Sequence, residues 1–575
     1  MKNPFAARRV AHTLALAVLL GGALAAPLAI AQDAVRTPPA AAASESALAQ
    51  AIDAALATHF KADEPGATVI VTREGKPVYR RAFGMGDLGN KTALKPDDAL
   101  RIGSLTKQFT AVAILMLADR GKLALDDPIA KHLQDYPKVA EGVTVEHLLT
   151  HTSGIPSYTN SPDYLTLMAK AVTVDEMIAR FKDQPLEFKP GTRWRYSNSG
   201  YFLLGAIIER VSGMPYAEFV AKEVFAPLGL NDTSYEGFER STKRIVKGYS
   251  NGKDEAQPLH MSQPYAAGSL ISTVDDLAKW DAAIAAGKLL KPATWKRAFT
   301  PYVLADGGKT TYGYGWSVRP INGMDAIMHS GGINGFVSHA VHIPGAKVYA
   351  AMLSNRMSGA PGGASPTYLT EKVAAIAAGK PFADHKAITL DAATLDRHIG
   401  VYMIDDKTTR TVTREGTQLY VQRTGGSKGP ILAASANVFF LPNSFTTFTF
   451  EADAAGETTH LVVDQASGRD RSPRVSKMPP AAKKAIAMTA ETFDRYVGVY
   501  TLVPGITMTV SREGEKFFTQ VTRQGKVEIA PETETLFFAK EVDAQVRFER
   551  DTEGKVTRLV ILQGGRETPG MRDSK

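Results

Sequence analysis

The sequence contains no cysteine. That excludes disulfides, thiolate-bound metals and a lipidated N-terminal cysteine, whatever the redox state of its compartment. It also lacks a strong charge bias, with 67 Lys and Arg against 59 Asp and Glu and a formal net charge of +8. Nucleic-acid-binding proteins concentrate basic residues on one face or helix, so this balance argues against a nucleic-acid partner. Neither a metal nor an organic cofactor is implied.

What is present begins with an address. Lys2, Arg8 and Arg9 precede an uncharged stretch from Leu14 to Ala26, followed by Ala29-Ile-Ala31 and Gln32. This is the layout of a cleavable secretory signal over residues 1–31, and an uncleaved membrane anchor is the alternative. Cleavage removes three basic residues and leaves 8 − 3 = +5. A periplasmic or secreted location follows, with no stable membrane span once the signal is gone. Residues 32–46, rich in Ala and Pro, read as a flexible linker.

A chain of 575 residues predicts roughly three or four domains. Residues 47–380 mix helical patterns with short β-branched runs, Ala67 to Thr72 and Val348 to Ser354 reading as strands and Leu105 to Leu117 as a buried helix. This is one large mixed α and β domain. The rest contains a repeat: Leu395-Asp-Arg-His-Ile-Gly-Val-Tyr402 returns as Phe493-Asp-Arg-Tyr-Val-Gly-Val-Tyr500, 98 positions on (395 to 493). The same shift aligns Thr411–Gly416 with Thr509–Gly514, Phe439-Phe440 with Phe537-Phe538, and Phe450-Glu451 with Phe548-Glu549. In both copies Arg-Glu-Gly lies between alternating strand-like runs, as a hairpin turn would. Two small antiparallel β domains, 390–480 and 488–575, are expected.

Acyl transfer by serine needs a base near the hydroxyl, and Ser-x-x-Lys places an amine one helical turn away. The pattern occurs at Ser104-Leu-Thr-Lys107 and at Ser250-Asn-Gly-Lys253. Ser104 opens an apolar helix, whereas Ser250 sits in loop-like composition. The competing reading of Ser104 is an N-cap with Lys107 exposed in the first turn. Tyr196-Ser-Asn198 supplies a tyrosine that could carry protons if a cation lowered its pKa, and an amide able to bond lysine and substrate. Tyr-x-Asn also occurs at Tyr158 and Tyr249, and a packed tyrosine beside a turn asparagine is the alternative. His329-Ser330-Gly331-Gly332 follows Tyr312-Gly-Tyr-Gly-Trp316 and suggests a strand where ligand meets backbone. His398-x-Gly400, inside the β repeat, reads as structural, as do His147 and His151, whose i, i+4 spacing lacks the glutamate and third ligand of a zinc site.

Taken in order, Ser104-x-x-Lys107, Tyr196-x-Asn198 and His329-x-Gly331 resemble the serine β-lactamase and penicillin-binding-protein superfamily: class C β-lactamases, related esterases, D-alanyl-D-alanine peptidases and D-aminopeptidases. Leu148–Gly154, Pro190-Gly191, Pro227–Gly229, Ala267–Leu277 and Gly331–Phe336 add to the likeness, which covers roughly residues 60–360. The resemblance implies an antiparallel sheet flanked by helices beside a helical subdomain, with Ser104 at the start of a central helix and His329 on an edge strand. The two β repeats are similar to the small barrels that follow the catalytic domain of D-aminopeptidase.

The site implied is Ser104 as nucleophile, Lys107 and Tyr196 as proton carriers, Asn198 orienting both, His329 shaping the field, the amides of Ser104 and Gly332 as oxyanion hole, and Ser330 and Gly331 against the substrate. Where penicillin-binding proteins carry Lys-Thr-Gly, this chain has His329-Ser330-Gly331, which trades a permanent cation for a largely neutral ring. That favours esters, amides or peptides containing D-amino acids over β-lactam or D-alanyl-D-alanine carboxypeptidase chemistry, which is the alternative activity. A catalytically silent peptidoglycan- or protein-binding module is the alternative of a different class. The β domains are candidates for gating the cleft, binding a protein or mediating a homodimer.

Overall fold

A computed structural model describes residues 40–573 apart from 135, 162, 238–242, 251, 358–362, 466–467, 482, 504–505 and 523. The signal segment and most of the linker lie outside the described residues. Helix α1, Ala40–Leu56, begins inside the stretch read as a flexible linker. Its run of alanines is the reason, since alanine has the highest helix propensity.

The first domain is built on six antiparallel strands: β1 Ala67–Arg73, β2 Lys76–Phe83, β3 Ser317–Ile321, β4 Met324–Ile333, β5 Phe336–Ile343 and β6 Val348–Ser354, in the spatial order β3-β4-β5-β6-β1-β2. Central β1 and β6 are buried on both faces, which is why they read as unbroken apolar runs. Val69, Val71 and Met352 face Ile52 and Leu56 of α1 and Leu369 and Val373 of a C-terminal helix, Pro366–Ala377. Ile70, Ala351 and Leu353 face the larger core formed by the remaining helices.

At the centre of that larger core lies α2, Thr106–Asp119, in which every residue from Thr106 to Leu117 is buried. A helix apolar all round belongs in the interior, so α2 can hold polar groups only where they are paired. A 3-10 turn, Gly103–Leu105, leads into it. Two further helices frame the site: α3, Val145–Leu149, and α4, Asn198–Ser212.

His329 is not on the edge strand, because β3 lies outside β4. However, the β3 ladder ends at the pair Ser317 and Met328, so from His329 onward that side of β4 has no strand partner and turns toward the 3-10 turn instead.

Each repeat forms a closed eight-stranded antiparallel barrel, with strands spanning Gly400–Ser476 and Gly498–Arg572. Both Arg-Glu-Gly steps are hairpin turns, Glu415 pairing with Gln418 and Glu513 with Lys516, and Gly416 and Gly514 take left-handed φ values of 58° and 60°. His398 and Tyr496, at matching positions, do the same work. His398 Nε2 donates to the Ala436 carbonyl at 2.8 Å, and Tyr496 Oη donates to the matching Glu534 carbonyl at 2.7 Å. The second imidazole nitrogen meets Thr458 Oγ1 at 2.9 Å, where the second barrel has Val556 in the same core cluster as Tyr496. His398 is thus built into the barrel core.

Candidate active site

Ser104 sits in the 3-10 turn, and its hydroxyl caps no helix: neither the turn nor α2 has a side-chain cap. Lys107 is not an exposed first-turn residue but is completely buried. Its Nζ lies 3.1 Å from Ser104 Oγ, 2.9 Å from Asn198 Oδ1 and 2.7 Å from the Ala267 carbonyl. Asn198 is oriented by its own Nδ2, which donates to Thr159 Oγ1 at 3.1 Å, and by its backbone N–H, which donates to Ser157 Oγ at 3.0 Å.

Among the described residues no carboxylate pairs with Lys107, and burial alone pushes its pKa well below the ordinary lysine value. A neutral amine has two N–H groups and one lone pair. The Asn198 and Ala267 oxygens can only accept, so they take the two N–H groups and leave the lone pair for the Ser104 hydroxyl.

The Tyr196 ring lies 4.8 Å from Lys107 Nζ. Burial raises the pKa of Tyr196, with the neighbouring Ser104 side chain opposing the shift. The expectation of a tyrosine pKa lowered by a neighbouring cation is therefore corrected. Lys107, held neutral by the same burial, supplies no cation at rest.

His329 is buried as well. Its Nδ1 donates to the Ser330 carbonyl at 2.6 Å, and its Nε2 accepts from Tyr312 Oη at 2.7 Å. Burial is the main cause that pushes its pKa down to about 3, so the ring is neutral at pH 7.

The oxyanion candidates are side by side. A Cβ on Gly103 would lie 3.0 Å from Gly332 N, and one on Gly331 would lie 3.0 Å from Ser104 N. Gly331 is packed against the Ile102 carbonyl, so its side of the strand meets protein rather than open space, whereas Gly332 faces open space. Ser330 is exposed, and among the described residues its hydroxyl makes no hydrogen bond to Ser104 or Lys107.

The second Ser-x-x-Lys is not assembled: Ser250 lies in a short hairpin strand and Lys253 is exposed. Tyr158 is buried and donates to the Gln263 carbonyl, and Tyr249 Oη accepts from the Leu88 N–H. His147 and His151 do not share a helical face. Helix α3 ends at Leu149, and His151 has a left-handed φ of 59°. Sequence reasoning missed Ala267 and Tyr312 as site groups, although both fall in stretches it marked, Ala267–Leu277 and Tyr312–Trp316. A backbone carbonyl carries no sequence signal, and the tyrosine reaches His329 only through the fold.

The family model described as Beta-lactamase matches residues 48–375, more than half of the chain. The chain belongs to the β-lactamase family. It is an enzyme of the serine-hydrolase type. A second family model, a domain of unknown function (DUF3471), matches residues 482–571, the second barrel. Penicillin-binding protein 4* of Bacillus subtilis is 29% identical over 415 residues, covering 68% of this chain and 91% of that one. Esterase EstB of Burkholderia gladioli is 36% identical over 210 residues, covering 34% of this chain and 52% of the esterase. Among solved structures, the octameric penicillin-binding protein homologue from Pyrococcus abyssi aligns with a TM-score of 0.52 at 27% identity, covering 75% of this chain and 98% of that one.

Proposed function

We propose that this β-lactamase-family enzyme is an exported hydrolase that works through an acyl-enzyme on Ser104, on small esters, amides or peptides containing D-amino acids. The observation that carries the reading is Lys107, a buried amine with no acidic partner among the described residues, whose lone pair is left for the Ser104 hydroxyl. In this scheme Lys107 takes the Ser104 proton as Oγ attacks the carbonyl, and the amides of Ser104 and Gly332 hold the oxyanion. Proton transfer makes Lys107 a cation beside Tyr196, which then favours proton release from the phenol to the leaving group. Lys107 returns the proton to Tyr196, and water cleaves the acyl-enzyme with the same pair as base.

The neutral His329 supports substrates whose recognition needs no cation at that position. Penicillin-binding proteins place a lysine there, so turnover of β-lactams or free C-terminal carboxylates is expected to be poor. The esterase among the relatives supports ester chemistry.

The test is intact-protein mass spectrometry during reaction with a short-chain nitrophenyl ester, with Ser104→Ala in parallel. One acyl adduct per chain and a matching nitrophenol burst are expected, and neither in the variant. Turnover by folded Ser104→Ala, or no adduct on the unmutated protein, would refute the scheme.

A further inference from the structure

One buried group beside the site has no part in that scheme and carries two costs at once. His151 is 1% exposed and adopts φ 59°, a backbone region strained for a bulky residue. Its Nδ1 accepts the Ser197 N–H at 3.2 Å, so the proton of the neutral ring is on Nε2. Among the described residues that buried N–H has no hydrogen-bond acceptor. A residue serving only to fill the core would avoid both: phenylalanine would remove the orphan donor, and asparagine would ease the backbone.

The contacts indicate what is gained. The His151 carbonyl accepts the Arg195 N–H at 2.9 Å while its side chain accepts that of Ser197. The two bonds bracket Tyr196. Between them the imidazole lies against the Tyr196 ring, centroids 4.2 Å apart with a 38° tilt. Its other neighbours include the Tyr312 ring at 4.7 Å, and Tyr312 is the residue that donates to His329. One ring therefore touches the tyrosine of the second motif and the tyrosine that holds the third. An imidazole offers both a flat surface for Tyr196 and an acceptor for the Ser197 amide from one side chain.

We infer, resting on Ser104 as nucleophile and Tyr196 as its proton carrier, that His151 is a positioning residue: it sets the place of Tyr196 from both sides and shields the Lys107–Tyr196 pair from water. The titratable groups facing Lys107 are Tyr196, Tyr201, His329 and His151 itself, with no carboxylate among the described ones. Water admitted beside them would relieve the burial that holds Lys107 neutral and raise its pKa.

The decisive variant is His151→Asn, which keeps an acceptor for Ser197 and tolerates the left-handed backbone but removes the ring. Active sites are titrated to completion with a fluorophosphonate, and kcat, KM and the pH profile of kcat/KM are measured per labelled site on a nitrophenyl ester. Since a misplacement near 1 Å costs about a hundredfold, kcat should fall on the order of a hundredfold with KM little changed. The acid limb of the profile should move to higher pH. His151→Phe keeps the ring and loses the acceptor, and should fall between Asn and the parent. A kcat per labelled site within about twofold of the parent would overturn the inference, and so would a loss with an unmoved acid limb, the mark of a merely structural residue. Failure of the unmutated enzyme to label at Ser104, with Ser104→Ala as control, would instead overturn the underlying reading.

Discussion

Gly331→Ala tests whether the glycine after His329 and Ser330 serves the substrate or the architecture. A Cβ there would lie 2.1 Å from the Ile102 carbonyl oxygen and 2.3 Å from Ser338 Oγ, and Cβ atoms essentially never come within 3.0 Å of another atom. The Ile102 oxygen must then retreat by about 0.9 Å, and Ser338 Oγ, which donates to it at 2.7 Å, must move too. Ile102 leads directly into the turn that carries Ser104, so the displacement reaches the nucleophile and its amide. A shift of this size costs about a hundredfold in rate, or roughly 2.7 kcal/mol of transition-state stabilisation. Overpacking adds roughly 1–3 kcal/mol of lost stability. Gly331 is not in the left-handed region, so alanine suffers no conformational penalty, and the loss reports sterics alone. Gly332→Ala is the comparison, because a Cβ there meets nothing within 4 Å and projects into the cleft. Its stability should stay within about 0.5 kcal/mol of the parent, with the change falling mainly on KM. Steady-state kinetics on a nitrophenyl ester and thermal denaturation of both variants decide the matter. A Gly331→Ala enzyme with parental kcat/KM and melting midpoint would refute the close-approach reasoning.

Lys107→Met should lose at least about a thousandfold in kcat/KM, by the loss of both base and proton carrier, while remaining folded. Its stability profile should also differ in slope. Lys107 has a folded pKa depressed below 10.5, so between those values the unfolded parent holds a proton that the folded parent lacks, and parental stability rises with pH. Denaturation midpoints across the alkaline range should show the parent gaining on the variant as pH rises toward 10.5, and parallel curves would be against a neutral buried lysine. In the first barrel, burial lowers the pKa of His398 below 6.5. The unfolded chain therefore takes up a proton first as pH falls through 6.5, and the barrel's stability drops on the acid side while remaining whole above it. The double change His398→Tyr with Thr458→Val copies the Tyr496 and Val556 pair of the second barrel, and should abolish that acid loss in hydrogen-exchange protection of the first barrel. Unchanged acid sensitivity would refute His398 as its source.

Residue order alone was enough to mark Ser104, Lys107, Tyr196, Asn198 and His329, because each lies in a short motif whose spacing encodes local geometry. The barrels were legible for a related reason. Two copies of one pattern, with Arg-Glu-Gly turns at the same offset, expose a repeat without any knowledge of its closure. The helix at Ala40 was missed because low complexity was weighed above the helix propensity of alanine. Tertiary structure decided the electrostatics. The same lysine is an exposed cation or a buried neutral amine depending on what surrounds α2, and no local pattern reports that. It also decided that Tyr196 is a phenol with a raised pKa rather than an acidic one, and that His151 is drawn from a local histidine pair to a place against Tyr196, 45 positions along the chain (151 to 196). Motif spacing is a property of neighbouring residues, whereas desolvation and ring contacts arise only when segments distant in the chain exclude water together.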